Sequence, residues 1–260
     1  MSHPNWTAFL TLIRREVARI LRIWGQTLVP PAITMTLYFL IFGSLIGSKI
    51  GGMSIDGVTL RYMDFIVPGL VMMAVIQNAY GNISSSFFGA KFGRHVEELL
   101  VAPLPNHVIL AGYVGGAVLR GFMVGAIVLA VAMLFTEVRV HDWFATVSTV
   151  LLGAVIFSLA GFVNAVYAKS FDDISIIPTF VLTPLTYLGG VFYSVSLLPG
   201  WAEAATHANP VFYMVNGFRY GLLGVSDVPL WSAYAVMLGL TAALTWLALW
   251  LLQRGTGLRS

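Results

Sequence analysis

The 260-residue sequence has no cysteine and little charge, since Asp, Glu, Lys and Arg together make up 10% of it. An ordinary soluble domain carries about 25% charged residues. The lack of cysteine excludes disulfides and thiolate metal ligands. What remains is 58% hydrophobic, which indicates a protein whose solvent is the lipid bilayer. The net charge of +3 on such a chain indicates membrane topology rather than nucleic-acid binding.

The sequence also lacks the motifs of common enzyme classes. It has no Gly-x-x-x-x-Gly-Lys-Ser/Thr phosphate loop, so we expect it not to hydrolyse nucleotide itself. No Gly-x-Ser-x-Gly nucleophile elbow occurs, and the five histidines form no His-Glu-x-x-His pair. We therefore expect no catalytic residue, no metal and no cofactor on this chain.

Long uncharged runs predict six membrane-spanning helices. A spanning helix needs about 20 apolar residues. Five uncharged runs exceed that length, and a sixth is interrupted only by Arg120. The predicted spans are about 27–47, 65–84, 108–135, 143–167, 174–193 and 229–252. The chain is thus predicted to be an all-α membrane protein, with a transmembrane domain over 27–252 and a tail at 253–260.

The distribution of Lys and Arg predicts the orientation. If the N-terminus is cytoplasmic, the inside segments hold nine of these residues and the outside segments four. Positive residues favour the cytoplasmic side, so both termini are predicted to be cytoplasmic. Arg120 would lie about one helical turn inside the inner membrane edge, where we expect its side chain to reach the headgroups. The alternative role for Arg120 is substrate binding.

Residues 1–26 are predicted to form a cytoplasmic amphipathic helix. Such a helix lies in the inner headgroup layer with its basic side toward anionic lipid. It serves either as a plain anchor or as a lever that contacts a cytosolic partner. The apolar positions recur at spacings of 4, 4, 3 and 4 and the basic positions share another face: Phe9, Ile13, Val17, Ile20 and Trp24, against Arg15, Arg19 and Arg22.

Two further segments interrupt the hydrophobic pattern. A charged insertion on the predicted cytoplasmic side is expected to form a short helix at about 93–104 that docks a soluble partner. Residues 194–227, on the opposite side, are aromatic, semi-polar and broken by Pro199 and Pro210. They predict a re-entrant hairpin or an outer-leaflet helix pair, because such backbone is tolerated when it is buried in protein or lines a cavity.

Polar residues recur on one face of two predicted spans. Asn78 and Asn82 are four residues apart in the second span, and Thr179, Thr183 and Thr186 follow at spacings of 4 and 3 in the fifth. Threonine hydroxyls commonly bond carbonyls of their own helix, which makes such a stripe structural. A stripe that faces a substrate path is the alternative.

Small and acidic residues in the spans predict packing and capping. The third span contains Gly112-x-x-x-Gly116 and Gly121-x-x-x-Gly125, and small residues at this spacing let helices approach closely. Asp172-Asp173 stands where the fifth span begins, a position suited to helix N-caps.

One extended pattern covers the fifth span and the segment after it. It reads Leu182-x2-Leu185-x2-Leu188-Gly189-Gly190-Val191, then Leu198-Pro199, Pro210 and Tyr213-x5-Arg219. In this pattern, and over nearly its whole length, the chain resembles the ABC-2 type permeases, the membrane subunits of ATP-binding cassette transporters. The departure is Val211, where the family favours Thr or a bulkier apolar residue.

The resemblance implies partners and a mechanism. Such permeases pair as dimers and bind two copies of a separate ATPase, which carries the ATP and Mg. The element at 93–104 resembles the family's coupling helix, and 1–26 resembles the connecting helix that packs against the same ATPase. The implied ATPase contacts are charged at Arg94, Glu97 and Glu98 and apolar at Leu99, Leu100 and Val101.

The resemblance also implies sites. The second and fifth spans of the family face a cavity at the dimer interface, so Asn78, Asn82, Thr179, Thr183 and Thr186 are candidate cavity residues. The outer hairpin would act as a gate, with Pro199, Pro210, Tyr213 and Arg219 as its signature residues.

The function implied is export or flopping of a lipid, glycan or amphipathic compound across a bacterial inner membrane by alternating access. A weakly polar, uncharged interior favours such cargo over small ions. An ATP-independent channel or secondary carrier is one alternative. A non-transporting membrane anchor for an ATPase is the other.

Overall fold

A computed structural model describes residues 4–50, 52–55, 58–96, 104–255 and 257. The described chain is predominantly helical. Its elements are α1 (Pro4–Arg22), α2 (Trp24–Thr27), α3 (Val29–Tyr38), the π-helix π1 (Phe39–Ile46), α4 (Gly47–Ile50), β1 (Gly52–Ile55), β2 (Val58–Arg61), α5 (Tyr62–Phe92), α6 (Asn106–Ala132), α7 (Trp143–Tyr167), α8 (Phe171–Ile177), π2 (Pro178–Leu182), α9 (Thr183–Tyr187), a 3-10 turn (Val195–Leu197), α10 (Gly200–His207), α11 (Pro210–Leu223) and α12 (Leu230–Arg254).

The all-α expectation misses one element, because β1 and β2 pair as an antiparallel hairpin with Gly52 opposite Arg61. The predicted spans, 27–47 and 65–84, leave this region as a connection between them. Val58, Thr59 and Leu60 are residues that suit an extended, pleated strand. A hairpin this short is marginal alone, so its position depends on the helices beside it.

Within the described residues, five helical segments are long and apolar enough to cross a membrane: Trp24–Gly43, Tyr62–Phe92, Asn106–Ala132, Trp143–Tyr167 and Leu230–Arg254. The helical stretch for the fifth predicted span begins at Phe171 and ends at Tyr187, where the prediction ran from 174 to 193. It ends early because Gly190 adopts a left-handed backbone with φ of 71°, which turns the chain back.

Helix α5 forms the centre of the bundle. It is buried along most of its length and packs mainly against α6 and α7. Its first half, from Phe65 to Ile76, is apolar on all sides, which is the pattern of a helix surrounded by others rather than of one exposed on one face. Residues near both ends of α5 are therefore in contact with the surrounding helices.

Both small-residue motifs of α6 are close packing sites, but they contact different helices. A Cβ on Gly125 would lie 2.7 Å from the Val75 side chain of α5. A Cβ on Gly112 would lie 2.6 Å from the Leu12 Cβ of α1, and one on Gly116 would lie 2.4 Å from the Cβ of Glu16. One motif therefore joins α6 to the bundle core, and the other holds the N-terminal helix.

The segment predicted as an outer hairpin contains the helix pair α10 and α11. Asn209 caps α11 by accepting a hydrogen bond from the Val211 amide at 3.0 Å. Its own side-chain amide donates to the Leu185 carbonyl of α9 at 2.7 Å. This residue thus ties the start of α11 to the end of the preceding helical stretch.

The N-cap of α8 is Ser170, and only one of the two predicted aspartates, Asp173, takes part in the cap. The Ser170 hydroxyl accepts a hydrogen bond from the Asp173 amide, and the Asp173 carboxylate accepts one from the Ser170 amide, which is a capping box. The Lys169 amide also donates to this carboxylate at 2.8 Å. These hydrogen bonds favour the ionised form and lower the pKa of Asp173 below its usual value of 3.8.

Candidate functional site

The face of the N-terminal helix that lies against the bundle coincides only in part with the predicted apolar face, of which Ile20 is buried and Phe9, Ile13 and Val17 are half-buried. Leu12, Glu16 and Ile20 are its buried residues, whereas Trp24, expected on the apolar face, is 60% exposed. The difference arises at the glycines of α6, whose missing side chains let this stripe of α1 approach. Arg15 and Arg19 consequently turn toward α5 and α6, not only toward lipid.

Glu16 is the buried acid at this contact. One of its carboxylate oxygens accepts a hydrogen bond from the Ser86 hydroxyl of α5 at 2.6 Å. The other accepts one from Arg19 at 2.9 Å. Arg15 lies 3.7 Å from the carboxylate and donates to the Tyr113 hydroxyl of α6 at 2.6 Å. A buried carboxylate needs such partners because desolvation is costly without them.

Two arginines from different helices converge on one amide. Arg19 of α1 donates to the Asn82 side-chain oxygen at 2.8 Å, and Arg120 of α6 approaches the same oxygen at 3.5 Å. Arg120 also donates to the side-chain oxygen of Asn78 at 3.2 Å. Polar groups of α1, α5 and α6 therefore meet in what we name the N-terminal cluster: Arg15, Glu16, Arg19, Asn78, Asn82, Ser86, Tyr113 and Arg120.

This arrangement bears on three residues that the sequence singled out. Asn82, a candidate cavity residue, is fully buried, and Asn78 is half-buried. Arg120 was expected to reach the headgroups, but its guanidinium turns to the amides of α5 instead. A role of the two asparagines in lining a cavity stays a prediction, and it requires the N-terminal cluster to open.

A second arginine cluster lies at the other end of α5. Arg219 of α11 is fully buried, and its guanidinium stacks 4.0 Å from the ring centre of Phe65. It donates to the Gly190 carbonyl at 2.6 Å and to Asp227 at 3.3 Å. Asn216 accepts a further bond from it at 3.3 Å. We name these five residues the Arg219 cluster.

The Arg219 cluster fixes the turn that ends the fifth helical stretch. The Gly190 carbonyl is held by Arg219, and the Ser194 hydroxyl donates to the other carboxylate oxygen of Asp227. The segment after α9, helix α11 and the loop before α12 are thereby joined to α5. Asp227 was not selected from the sequence, although an acid eight residues after an arginine in an otherwise apolar segment is a signal for such a pair.

The other predicted gate residues occupy turn and capping positions. Pro199 is the exposed N-cap of α10, and Pro210 is the first residue of α11. The Tyr213 hydroxyl donates to the His207 carbonyl at 3.0 Å, across the junction of the two helices. A gating role for these residues stays a prediction.

The threonine stripe does not keep one environment. Thr179 is exposed, Thr183 is half-buried and Thr186 is fully buried. Thr183 donates to the Pro178 carbonyl at 2.9 Å and Thr186 to the Thr183 carbonyl at 2.8 Å, as the structural interpretation expects. The π-helical register of π2 rotates successive threonines away from the single face that α-helical spacing predicts.

Most of the predicted coupling segment lies outside the described residues, including Glu97, Glu98, Leu99, Leu100 and Val101. Arg94 is exposed, in a turn after α5, and has a left-handed backbone with φ of 60°. Lys91, one turn earlier, donates to the Val166 and Ala168 carbonyls at 2.6 and 2.8 Å. It thus caps the end of α7, so its charge is committed within the chain.

Comparisons with known proteins agree with this architecture. The model of the ABC-2 type transporter family matches residues 7–223. The chain is 57% identical over 260 residues, all of both chains, to the inner membrane transport permease YadH of Escherichia coli. It is 26% identical over 226 residues to nodulation protein J of Sinorhizobium fredii, covering 84% of this chain and 81% of that one. It is also 26% identical over 210 residues to the daunorubicin resistance permease DrrB1 of Streptomyces coeruleorubidus, covering 76% and 71%.

Proposed function

The chain belongs to the ABC-2 type transporter family, and we propose that it is the transmembrane subunit of an exporter powered by a separate ATPase. In this proposal two copies of the chain pair and bind two ATPase subunits, which hold the ATP and Mg. The proposed sixth membrane span is the helical stretch from Phe171 to Tyr187, in addition to the five longer apolar helices. Both termini face the cytoplasm, and the membrane is the bacterial inner membrane, as the name of the YadH relative suggests.

The proposed cargo is a lipid, a glycan or an amphipathic compound. Among the described residues, the charged groups near the bundle core are gathered at its two ends, leaving the middle of α5 apolar. Such an interior suits cargo with apolar surface better than small ions. The DrrB1 relative is named for resistance to daunorubicin, and this supports an amphipathic cargo.

The observation that carries the proposal is the attachment of α1 to the bundle. Glu16 bonds Ser86 of α5, Arg19 bonds Asn82 of α5, and Arg120 extends the network to α6. A helix held by a buried polar network moves with the helices that hold it, because leaving such groups unpaired is costly. A tilt delivered to α1 by the ATPase would therefore reach α5 and α6 directly.

The charged segment at 93–104 would deliver the second input. It follows α5 directly, so a partner that binds Arg94, Glu97 and Glu98 there acts on the same central helix. Closure of the two ATPases would then tilt α5 from two points, α1 and the 93–104 segment. Rigid-body tilting of packed helices is an established way to convert a local event into a change of access.

The cargo cavity and the outer gate would lie farther from the ATPase than α1 and the 93–104 segment. Exposed Thr179 and half-buried Thr183 are the residues of the threonine stripe that can line a cavity between two copies. The helix pair α10–α11, with Pro199, Pro210 and Tyr213 at its turns and Arg219 at its base, would form the outer gate. Its rigid attachment through Arg219 suits a gate that moves as one body.

The direct test is reversal of charge in the coupling segment. The double variant Glu97→Lys, Glu98→Lys should lose association with the partner ATPase and lose stimulated ATP hydrolysis in proteoliposomes. Glu203→Lys is the matched control, because Glu203 is half-exposed on α10 at the opposite end of the bundle. It should leave association and hydrolysis unchanged.

Three outcomes would contradict the proposal. Retention of both association and hydrolysis by the double variant would remove the coupling assignment. Gradient-driven transport by the purified chain alone in liposomes would instead support an ATP-independent channel or carrier. If Thr179→Trp leaves every transport readout unchanged while ATPase binding persists, a non-transporting anchor is favoured.

A further inference from the structure

A groove of about 550 Å³ opens between α1 and the last turns of α5. Arg15, Arg19 and Arg22 line it from α1, and Ser86 and Gly89 line it from α5. The backbone of α5 is open at Gly89, where an added Cβ would meet nothing within 4 Å. The groove is therefore a real recess with a basic wall, not a gap closed by side chains.

The groove carries an excess of positive charge. Among the described residues that line it are three arginines and one glutamate. Glu16 is buried with both oxygens already bonded, to Ser86 and Arg19. Arg22 is exposed at the end of α1 and has no ion-pair partner within the described part of the chain. A group with negative charge and several acceptor oxygens would satisfy this wall, and a phosphate has both.

The surroundings identify the source of that phosphate as a lipid. Two candidate spans end at this groove, one starting at Trp24 and one finishing at Phe92. Trp24 is 60% and Phe92 66% exposed, and aromatic residues at span ends mark the depth of the headgroups. Leu21 and Ile23 are exposed beside Arg22, so apolar surface borders the basic wall where acyl chains would run.

We propose that this groove binds the phosphate headgroup of an anionic phospholipid of the inner leaflet. Arg22 contacts the phosphate first, and Arg15 and Arg19 provide the positive field behind it. The lipid would occupy the space between α1 and α5, the two helices that the N-terminal cluster joins. This site is separate from the cavity proposed for cargo and does not depend on ATPase binding.

The test is lipid retention by the purified full-length chain, measured by native mass spectrometry after exchange with phosphatidylglycerol or phosphatidylcholine. The wild type should retain phosphatidylglycerol preferentially. Arg22→Gln should lower its retention about five-fold, since one basic residue at an anionic surface contributes about that factor. Gly89→Leu should lower it comparably without changing the charge, because its side chain fills the groove.

Each variant has a matched control. Arg14→Gln removes the same charge from an exposed position of α1 that does not line the groove, and it should retain lipid as the wild type does. Gly81→Leu adds the same side chain to α5 where an added Cβ also meets nothing within 4 Å. Size-exclusion profiles of all four variants verify that they are folded.

Three results would overturn the proposal. Equal loss in Arg14→Gln and Arg22→Gln would mean that only the general surface charge attracts lipid. Unchanged retention in both Arg22→Gln and Gly89→Leu would mean that the groove is not the site. Displacement of phosphatidylglycerol by excess inorganic phosphate, together with no preference over phosphatidylcholine, would assign the groove to a free anion.

Discussion

The two arginine clusters at the ends of α5 are built in opposite ways. From Phe65 to Asn82 the helix advances 17 residues, about 25 Å. At one end Arg219 is fully buried and is paired with Asp227, one charge against one. At the other end there are three arginines, Arg15, Arg19 and Arg120, but one acid, Glu16, which only Arg15 and Arg19 approach, and the side chains of these two are 47% and 32% exposed.

This difference indicates different mechanical roles. Arg219 is buried, is paired with one acid, and also contacts the Gly190 carbonyl and the Phe65 ring. Few other arrangements satisfy all of these contacts, so the Arg219 cluster acts as a rigid brace. The N-terminal cluster has more cations than anions, and the side chains of Arg15 and Arg19 are partly exposed to solvent, whereas that of Arg219 is not. Its members can change partners at lower cost, which suits the end that receives motion.

The largest expected effect is on the brace. Asp227→Asn leaves the buried Arg219 charge without its anion, which typically costs about 3–5 kcal/mol. The purified chain should unfold at a clearly lower temperature in detergent. The control is Glu137→Gln, which removes the acid of the Arg139–Glu137 pair, where both side chains are more than 80% exposed, and it should change nothing measurable. If the two variants unfold at the same temperature, Arg219 does not need Asp227, and the proposed difference between the two arginine clusters is wrong.

A smaller effect is expected at the seat of α1. Gly116→Ala places a Cβ 2.4 Å from that of Glu16, so α1 must move away from α6. Overpacking of this kind costs about 1–3 kcal/mol. Stimulated ATP hydrolysis should fall strongly while the unfolding temperature falls only slightly, because the contacts that join α1 to α5 are disturbed.

The neighbouring glycine supplies the control for that variant. A Cβ on Gly115 would meet the far end of the Ile13 side chain at 3.1 Å, which can move aside. Gly115→Ala should therefore retain ATPase stimulation. If both alanine variants stimulate hydrolysis equally, close seating of α1 is not part of the coupling route.

The sequence predicted the helices well where composition alone decides them. The long uncharged runs correspond to α5, α6, α7 and α12, and the glycine pairs of α6 correspond to close contacts. It predicted the face of α1 poorly, because the amphipathic pattern assumes lipid on one side and water on the other. Here glycines of a distant helix accept Leu12 and Glu16, and periodicity within α1 contains no information about that partner.

The candidate site residues also fall into those that the local sequence could predict and those that only tertiary contacts define. Arg219 was selected through its family pattern, but Asp227, Asn216 and the Gly190 carbonyl meet it only through tertiary folding. The threonine stripe was drawn with α-helical spacing, and the π-helical turn at Pro178–Leu182 separates its members. Local sequence rules describe single elements, whereas both arginine clusters are built from three or more.

The smallest expected effect concerns the helical stretch that connects the two ends of the molecule. Its far end is held by buried Arg219 at Gly190, and its near end by the half-buried capping box of Ser170 and Asp173. The pKa of Asp173 is lowered below 3.8 by the amides of Lys169 and Ser170. The ionised carboxylate therefore stabilises the folded chain above about pH 3.8, and this stabilisation is lost as the pH falls through the lower folded-state pKa.

Asp173→Asn should lower the unfolding temperature slightly at neutral pH, and its difference from the wild type should shrink in acid below pH 3.8. Asp172→Asn is the matched control, because Asp172 receives neither of these amide bonds, and its difference from the wild type should show no such narrowing. Both measurements use the purified chain across an acidic pH series. The unfolding temperature of Asp173→Asn could instead fall as far as that of Asp227→Asn. The capping box would then stabilise the fold as much as the buried Arg219–Asp227 pair does, and the two ends of this stretch would not differ.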